Sequence, residues 1–150
     1  MNWYEIANAG DVPSPALLLH SDRIDANLRR MIEMAGGPGR LRPHVKTHKL
    51  GELTRRQLAL GITKYKCATI AEAEVVAEAG APGVLLAYQP VGPQIQRLVA
   101  LQKRHPVTSF SALVDSPAIV ADLGAEAVRV RKSTRLNSSH VALSRMPSSA

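Results

Sequence analysis

Cysteine occurs once in this chain of 150 residues, at Cys67. That excludes an intrachain disulfide and a multi-cysteine zinc centre, and it fits a reducing compartment. A lone cysteine reads first as a small buried apolar residue. Aromatic side chains are also scarce, at 3% of the sequence, so no stacking platform for single-stranded nucleic acid is expected. No apolar run approaches the roughly 20 residues that a membrane span requires. The opening stretch, MNWYEIANAGDVPSP, also lacks the basic-then-apolar layout of a secretory signal. What is present is 45% hydrophobic and 21% charged residues, the balance of an ordinary globular domain with a core. A cytoplasmic enzyme or binding protein is the expectation, with a small-molecule ligand and with neither nucleic acid nor membrane as partner.

The formal charge of +7 points toward nucleic acid only until its distribution is considered. Arg131, Lys132, Arg135 and Arg145 lie in the last twenty residues, which contain no acid, and the first 130 residues carry 15 basic against 12 acidic side chains. That last stretch, RKSTRLNSSHVALSRMPSSA, has no apolar periodicity. It resembles the translation of a common sequencing adapter: Arg131 to His140 is encoded by CGG AAG AGC ACA CGT CTG AAC TCC AGT CAC. Ser144 to Ala150 matches the continuation of that adapter, and Val141 to Leu143 fill a gap of the size of a sample index. Residues 131–150 are therefore expected to be a non-native, disordered tail. Residues 1–130 are then expected to be a partial domain from a reading frame cut short.

Within those 130 residues a short apolar strand, a turn and an amphipathic helix recur about every twenty residues. An apolar run, Ala16 to Leu19, leads through Ser21 and Asp22, both good helix caps, into Ile24, Leu28, Met31, Ile32 and Ala35 at helical spacing. GGPG at 36–39 has neither the Lys-Ser/Thr of a Walker loop nor a G-x-G-x-x-G context, and reads as a helix stop and turn. Further strands are expected at Leu41 to Lys46, Thr63 to Ala68, Val84 to Tyr88, Ser111 to Asp115 and Ala127 to Val130. Helices are expected near 50–60, 70–80, 93–104 and 117–123, with Thr69 capping and Gly80 stopping the second of these. Strands alternating with helices imply βαβ units on a parallel sheet, in either a doubly wound fold or a (β/α)₈ barrel. A barrel typically needs ~250 residues, so length alone does not choose between them.

RPHVKTHK, at 42–49, crowds an arginine, two histidines and two lysines into eight residues. In a strand, Arg42, His44 and Lys46 share one face while Val45 and Thr47 take the other. Lys46 ends that strand, and in α/β proteins chemistry gathers at the carboxyl ends of strands. His44 and His48 have the i, i+4 spacing of helical zinc pairs, but Pro43 disfavours helix and no acid lies between them. A lysine that forms a Schiff base needs a neutral amine, which neighbouring cations and partial burial favour. A solvated strand-end lysine is the plainer alternative.

LRPHVKTHK, followed by GITKYKCATIAEAEVVAEAG and GVLLAYQPVG, resembles the N-terminal part of the D-threonine aldolase and D-serine dehydratase family, as does DVPSPALLLHSDRIDANLRRM. That family belongs to the alanine-racemase-like, fold-type III enzymes that use pyridoxal 5′-phosphate. The likeness runs from about Asp11 to Val130. It implies a (β/α)₈ TIM-type barrel, here truncated and without the second, β domain. It further implies a lyase acting on D-β-hydroxy amino acids through an aldimine on Lys46, by dehydration or retro-aldol cleavage. His44, His48 and Tyr88 would line the mouth and contact the cofactor. A divalent metal would be held by ligands outside this chain, so that no metal ligand is assigned here. The parent would be a homodimer and the fragment itself inactive. An amino-acid racemase of the same fold, or a non-catalytic pyridoxal-phosphate carrier, remain as alternatives.

Overall fold

The computed structural model describes residues 2, 4–133 and 142–145. The first helix, α1 (Ser21–Ala35), buries Leu28, and its Met31 and Ile32 pack partly buried against the core. It stops at Gly36, whose φ of 73° frees Gly36 N–H to reach Glu33 C=O and Gly37 N–H to reach Ile32 C=O. This is the left-handed C-terminal turn that glycine adopts without a Cβ penalty. Helix α2 (Gly51–Ala59) leads to strand β1 (Lys64–Cys67), and α3 (Ile70–Glu78) to β2 (Gly83–Leu86). Helix α4 (Pro93–Arg104) leads to β3 (Ser109–Val114), and α5 (Pro117–Ser133) precedes β4 (Ala142–Arg145).

The four strands form one parallel sheet in the order β1-β2-β3-β4. Alternation along each strand sorts its side chains. Tyr65, Cys67, Val84, Leu86, Phe110, Ala112 and Val114 are buried and form one core with Ile70, Val76, Ile95, Leu98, Leu101 and Leu123 from the helices. Burial of side chains the size of Leu86 or Phe110 stabilises the fold by about 1.5–3 kcal/mol each. The opposite face carries Lys64, Lys66, Leu85, Ser109, Ser111 and Leu113, none of them buried.

Several polar groups inside the helix-covered layer are paired, while the buried Gln57 Oε1 has no partner among the described residues. Tyr65 donates its phenolic hydrogen to Ile62 C=O at 2.9 Å. The Gln102 amide joins α4 to the start of β3, donating to Thr108 C=O at 3.1 Å and accepting from Phe110 N–H at 3.3 Å. Thr108 Oγ1 in turn donates to Ala81 C=O at 2.8 Å. Each of these groups would cost about 1–3 kcal/mol if left buried and unpaired.

Three expectations are corrected. Ala16 to Leu19 forms no strand: the segment is unpaired, Leu17 is 75% exposed, and α1 is capped by the backbone of His20 rather than by Ser21 or Asp22. Leu41 to Lys46 is not a full strand, because the chain touches β1 at one bridge, His44 with Lys66, and then tightens into a 3₁₀ turn at Val45–Thr47. Ala127 to Val130 is helical, since nothing from Pro117 to Ser133 breaks an alanine-rich helix strongly enough and Glu126 pairs with Arg129 one turn on. Of residues 131–150, α5 takes in 131–133 and β4 takes in 142–145, pairing in parallel with β3 with Ser111 opposite Ala142. The rest of the expected tail, 134–141 and 146–150, lies outside the described residues.

Candidate functional site

The lysine-bearing segment is placed by backbone contacts and one buried side chain. Lys66 N–H donates to Pro43 C=O at 2.9 Å, which sets His44 beside Lys66 in parallel register. Val45 is fully buried among Tyr65, Cys67 and their neighbours, so His44 and Lys46, on either side of it, are directed away from the core. Thr47, expected to share the face of Val45, is exposed because the 3₁₀ turn rotates it outward. His48 and Lys49 N–H close the turn on Val45 C=O at 3.1 and 2.9 Å.

Both histidines use Nδ1 as an acceptor. His44 Nδ1 receives Lys46 N–H at 3.3 Å, and His48 Nδ1 receives Leu50 N–H at 3.0 Å. An acceptor nitrogen carries no proton, which leaves the proton of each neutral ring on Nε2. The His48 Nε2 is buried and has no partner among the described residues. Burial pushes the His44 pKa down, and the neighbouring Lys46 and Lys66 push it further the same way, against Glu72. Burial also lowers His48, again with Glu72 opposing.

Glu72 is the acid behind both. Thr69 Oγ1 caps α3 by accepting Glu72 N–H at 3.1 Å, and the buried Glu72 carboxylate accepts Ala68 N–H at 2.7 Å. Its second oxygen lies 3.6 Å from Lys49 Nζ. Lys49 takes φ of 52°, a left-handed conformation costly for a residue with a Cβ, and holds it beside that carboxylate. One buried carboxylate thus ties the β1–α3 turn to the segment bearing Lys46.

Tyr88 follows β2 at the same sheet end, since Ala87 N–H extends the ladder to Cys67 C=O. It packs partly buried against the core, which raises its phenol pKa. The structure brings His44, Lys46 and His48 together in one turn; Tyr88 stands two strands over. No metal-holding group of three His, Cys, Asp or Glu side chains occurs among the described residues. No helix among them is long and apolar enough to cross a membrane. Cys67 is wholly buried, and its thiol is pushed up to about 12 by that burial.

Lys66 and Glu72 were not picked out from the sequence, although signals for both are there. Glu72 stands three residues after Thr69, the spacing of a capping box, and Lys66 alternates with Tyr65 and Cys67 as the polar side of a strand.

A parallel α/β sheet with a lysine-bearing turn at the carboxyl ends of its strands defines the class. The alanine racemase N-terminal domain model matches residues 19–137, and the chain belongs to that family. It is 36% identical over 106 residues to a D-threonine aldolase of an Arthrobacter species, covering 70% of this chain and 27% of that protein. It is 33% identical over 113 residues to the D-threo-3-hydroxyaspartate dehydratase of Delftia sp. (strain HT23), covering 75% and 29%. Among solved structures, that of D-threonine aldolase from Filomicrobium marinum superposes with a TM-score of 0.75 at 32% identity, over 91% of this chain and 35% of that one. The chain therefore spans about 30% of the length of the curated relatives it matches.

Proposed function

We propose that this chain is the lysine-bearing part of a pyridoxal-phosphate-dependent lyase acting on D-β-hydroxy amino acids, with Lys46 as the lysine that binds the cofactor. The observation that carries the reading is the state of Lys46. Its ammonium stands at the carboxyl end of the sheet beside two histidines, exposed, and pairs with no carboxylate among the described residues. An amine so placed fits an anionic aldehyde, and the orphaned Nε2–H of His48 leaves a donor to spare. Pyridoxal phosphate, when bound, supplies the electron sink that lets a bond to Cα break.

The chain's own residues then have limited tasks. Lys46 Nζ would hold the cofactor through its aldehyde and, when free, would serve as the base on its own side of the site. His44 and His48, neutral near pH 7 because their pKa values are lowered, border the mouth without adding charge. Tyr88 borders it from β2. The choice between dehydration and retro-aldol cleavage, and any divalent metal holding the β-hydroxyl, fall to residues beyond the described ones. On this reading the complete enzyme is a cytoplasmic homodimer, and this chain alone does not turn over.

The test is reductive trapping. The chain is incubated with pyridoxal 5′-phosphate, reduced with borohydride and peptide-mapped. The expected outcome is one dominant label, on Lys46, that disappears in Lys46→Ala. Label spread evenly over the surface lysines would refute the assignment.

A further inference from the structure

The cation cluster extends beyond the motif at 42–49. Lys66 lies in the middle of β1, on the face opposite Tyr65 and Cys67. Its register partners are His44 on one side and Leu85, then Ser111, on the other. Paired residues of parallel strands project to the same side, so Lys66 and His44 stand next to each other, and Lys46 follows His44 by two residues on that side. Lys66 is partly buried, and its ammonium has no carboxylate partner among the described residues. The nearest row offers an aliphatic and a hydroxyl side chain, Leu85 and Ser111, neither of which supplies an anion. A partly buried cation with no protein anion, one strand away from a second unpaired cation, marks an anion site.

We propose that Lys66 pairs with the phenolic oxygen of the pyridoxal ring bound at Lys46. The inference rests on the Lys46 reading above. Its chemistry follows from depth: an aldehyde held at Lys46 carries the phenolic oxygen on the adjacent ring carbon, while its phosphate is on the far side of the aldehyde. Phosphates bind at the rim, where strands give way to loops and helix N-termini. Lys66 lies one residue inside the end of β1, at the level of His44 and below Lys46, and so meets the ring rather than the phosphate. The unpaired ammonium, with Lys46 on the same side, favours the phenolate over the phenol.

The experiment compares wild type, Lys66→Met and Lys66→Arg of the full 150-residue chain, each titrated with pyridoxal 5′-phosphate and separately with pyridoxal, which lacks the phosphate. Binding is read from the visible band and from borohydride trapping at Lys46. With Lys66→Met, affinity for both aldehydes is expected to fall about tenfold, as for a lost charge-assisted bond, with trapping still confined to Lys46. Lys66→Arg is expected to restore most of it. Weaker binding of pyridoxal phosphate alone would place Lys66 on the phosphate and overturn the proposal, as would no loss with either. Wild type that fails to label Lys46 at all defeats the underlying reading instead, which separates the two failures.

Discussion

Cys67 and His48 show how far a single position determines behaviour. Cys67 was legible as a buried apolar residue, and burial alone, with Glu72 adding to it, pushes its thiol up to about 12. Because the thiolate is the reactive form, alkylation by iodoacetamide at pH 8 is expected to be slow in the native chain and fast in denaturant; mass spectrometry after a timed quench reads the difference. His48 works in the opposite direction on acid. Its folded pKa lies below the ordinary 6.5, so below pH 6.5 the unfolded chain takes up protons that the folded chain refuses. Stability from this group is complete above pH 6.5 and declines as pH falls below it. Thermal melts at pH 7.5 and 5.5 should show the loss, and His48→Gln should reduce it, with His44 supplying the remainder. The grouping of His44, Lys46 and His48 in one turn was readable because neighbours in sequence are here neighbours in space. The place of Lys66 beside His44 was not, because the bridge joins residues twenty-two positions apart.

Elements were legible where local chemistry is strong. Helix α3 begins after Thr69 and ends before Gly80, whose φ of 94° suits only a turn, just as TIAEAEVVAEAG reads. Thr69→Ala should destabilise the chain by about 1 kcal/mol, measured as a shift in urea midpoint. Glu72→Ala should cost more, since it strips Ala68 N–H and Lys49 Nζ of their partner together, whereas Glu72→Gln keeps an acceptor for the first and loses the charge facing the second. A larger effect of Gln than of Ala would contradict this division. Where sequence reading failed, tertiary context decided. The leucines at 17–19 have strand composition but no neighbouring strand among the described residues, and RPHVK bends after one bridge into the turn that His48 and Lys49 N–H close on Val45 C=O. Val128 and Val130 favour strands in isolation, yet they continue a helix already under way from Pro117.

At the scale of the molecule, four parallel strands covered by helices on one face leave the other face incompletely buried. Lys66, Leu85, Ser111 and Leu113 occupy that face at intermediate exposure, while Leu17, Leu18 and Leu19 protrude at 75%, 46% and 55%. Parallel sheets are ordinarily covered on both sides, and unpaired apolar segments recruit partners. The chain alone is therefore expected to self-associate: sedimentation velocity should show species heavier than the monomer that grow with concentration. A sharp monomer boundary together with a cooperative melt would show that this portion is self-sufficient. The parallel α/β architecture was visible in the spacing of the strands, and the family's motif supplied the choice of a barrel-type unit that spacing left open.

The bond from Lys66 N–H to Pro43 C=O makes one amide a built-in reporter. That hydrogen is protected only while the lysine-bearing segment is docked against the sheet, whereas the amides of β2 are sheltered by strands on both sides. Deuterium uptake at Lys66 thus counts how often the segment undocks, and a ligand that clasps Lys46 would slow that clock without touching the one in β2.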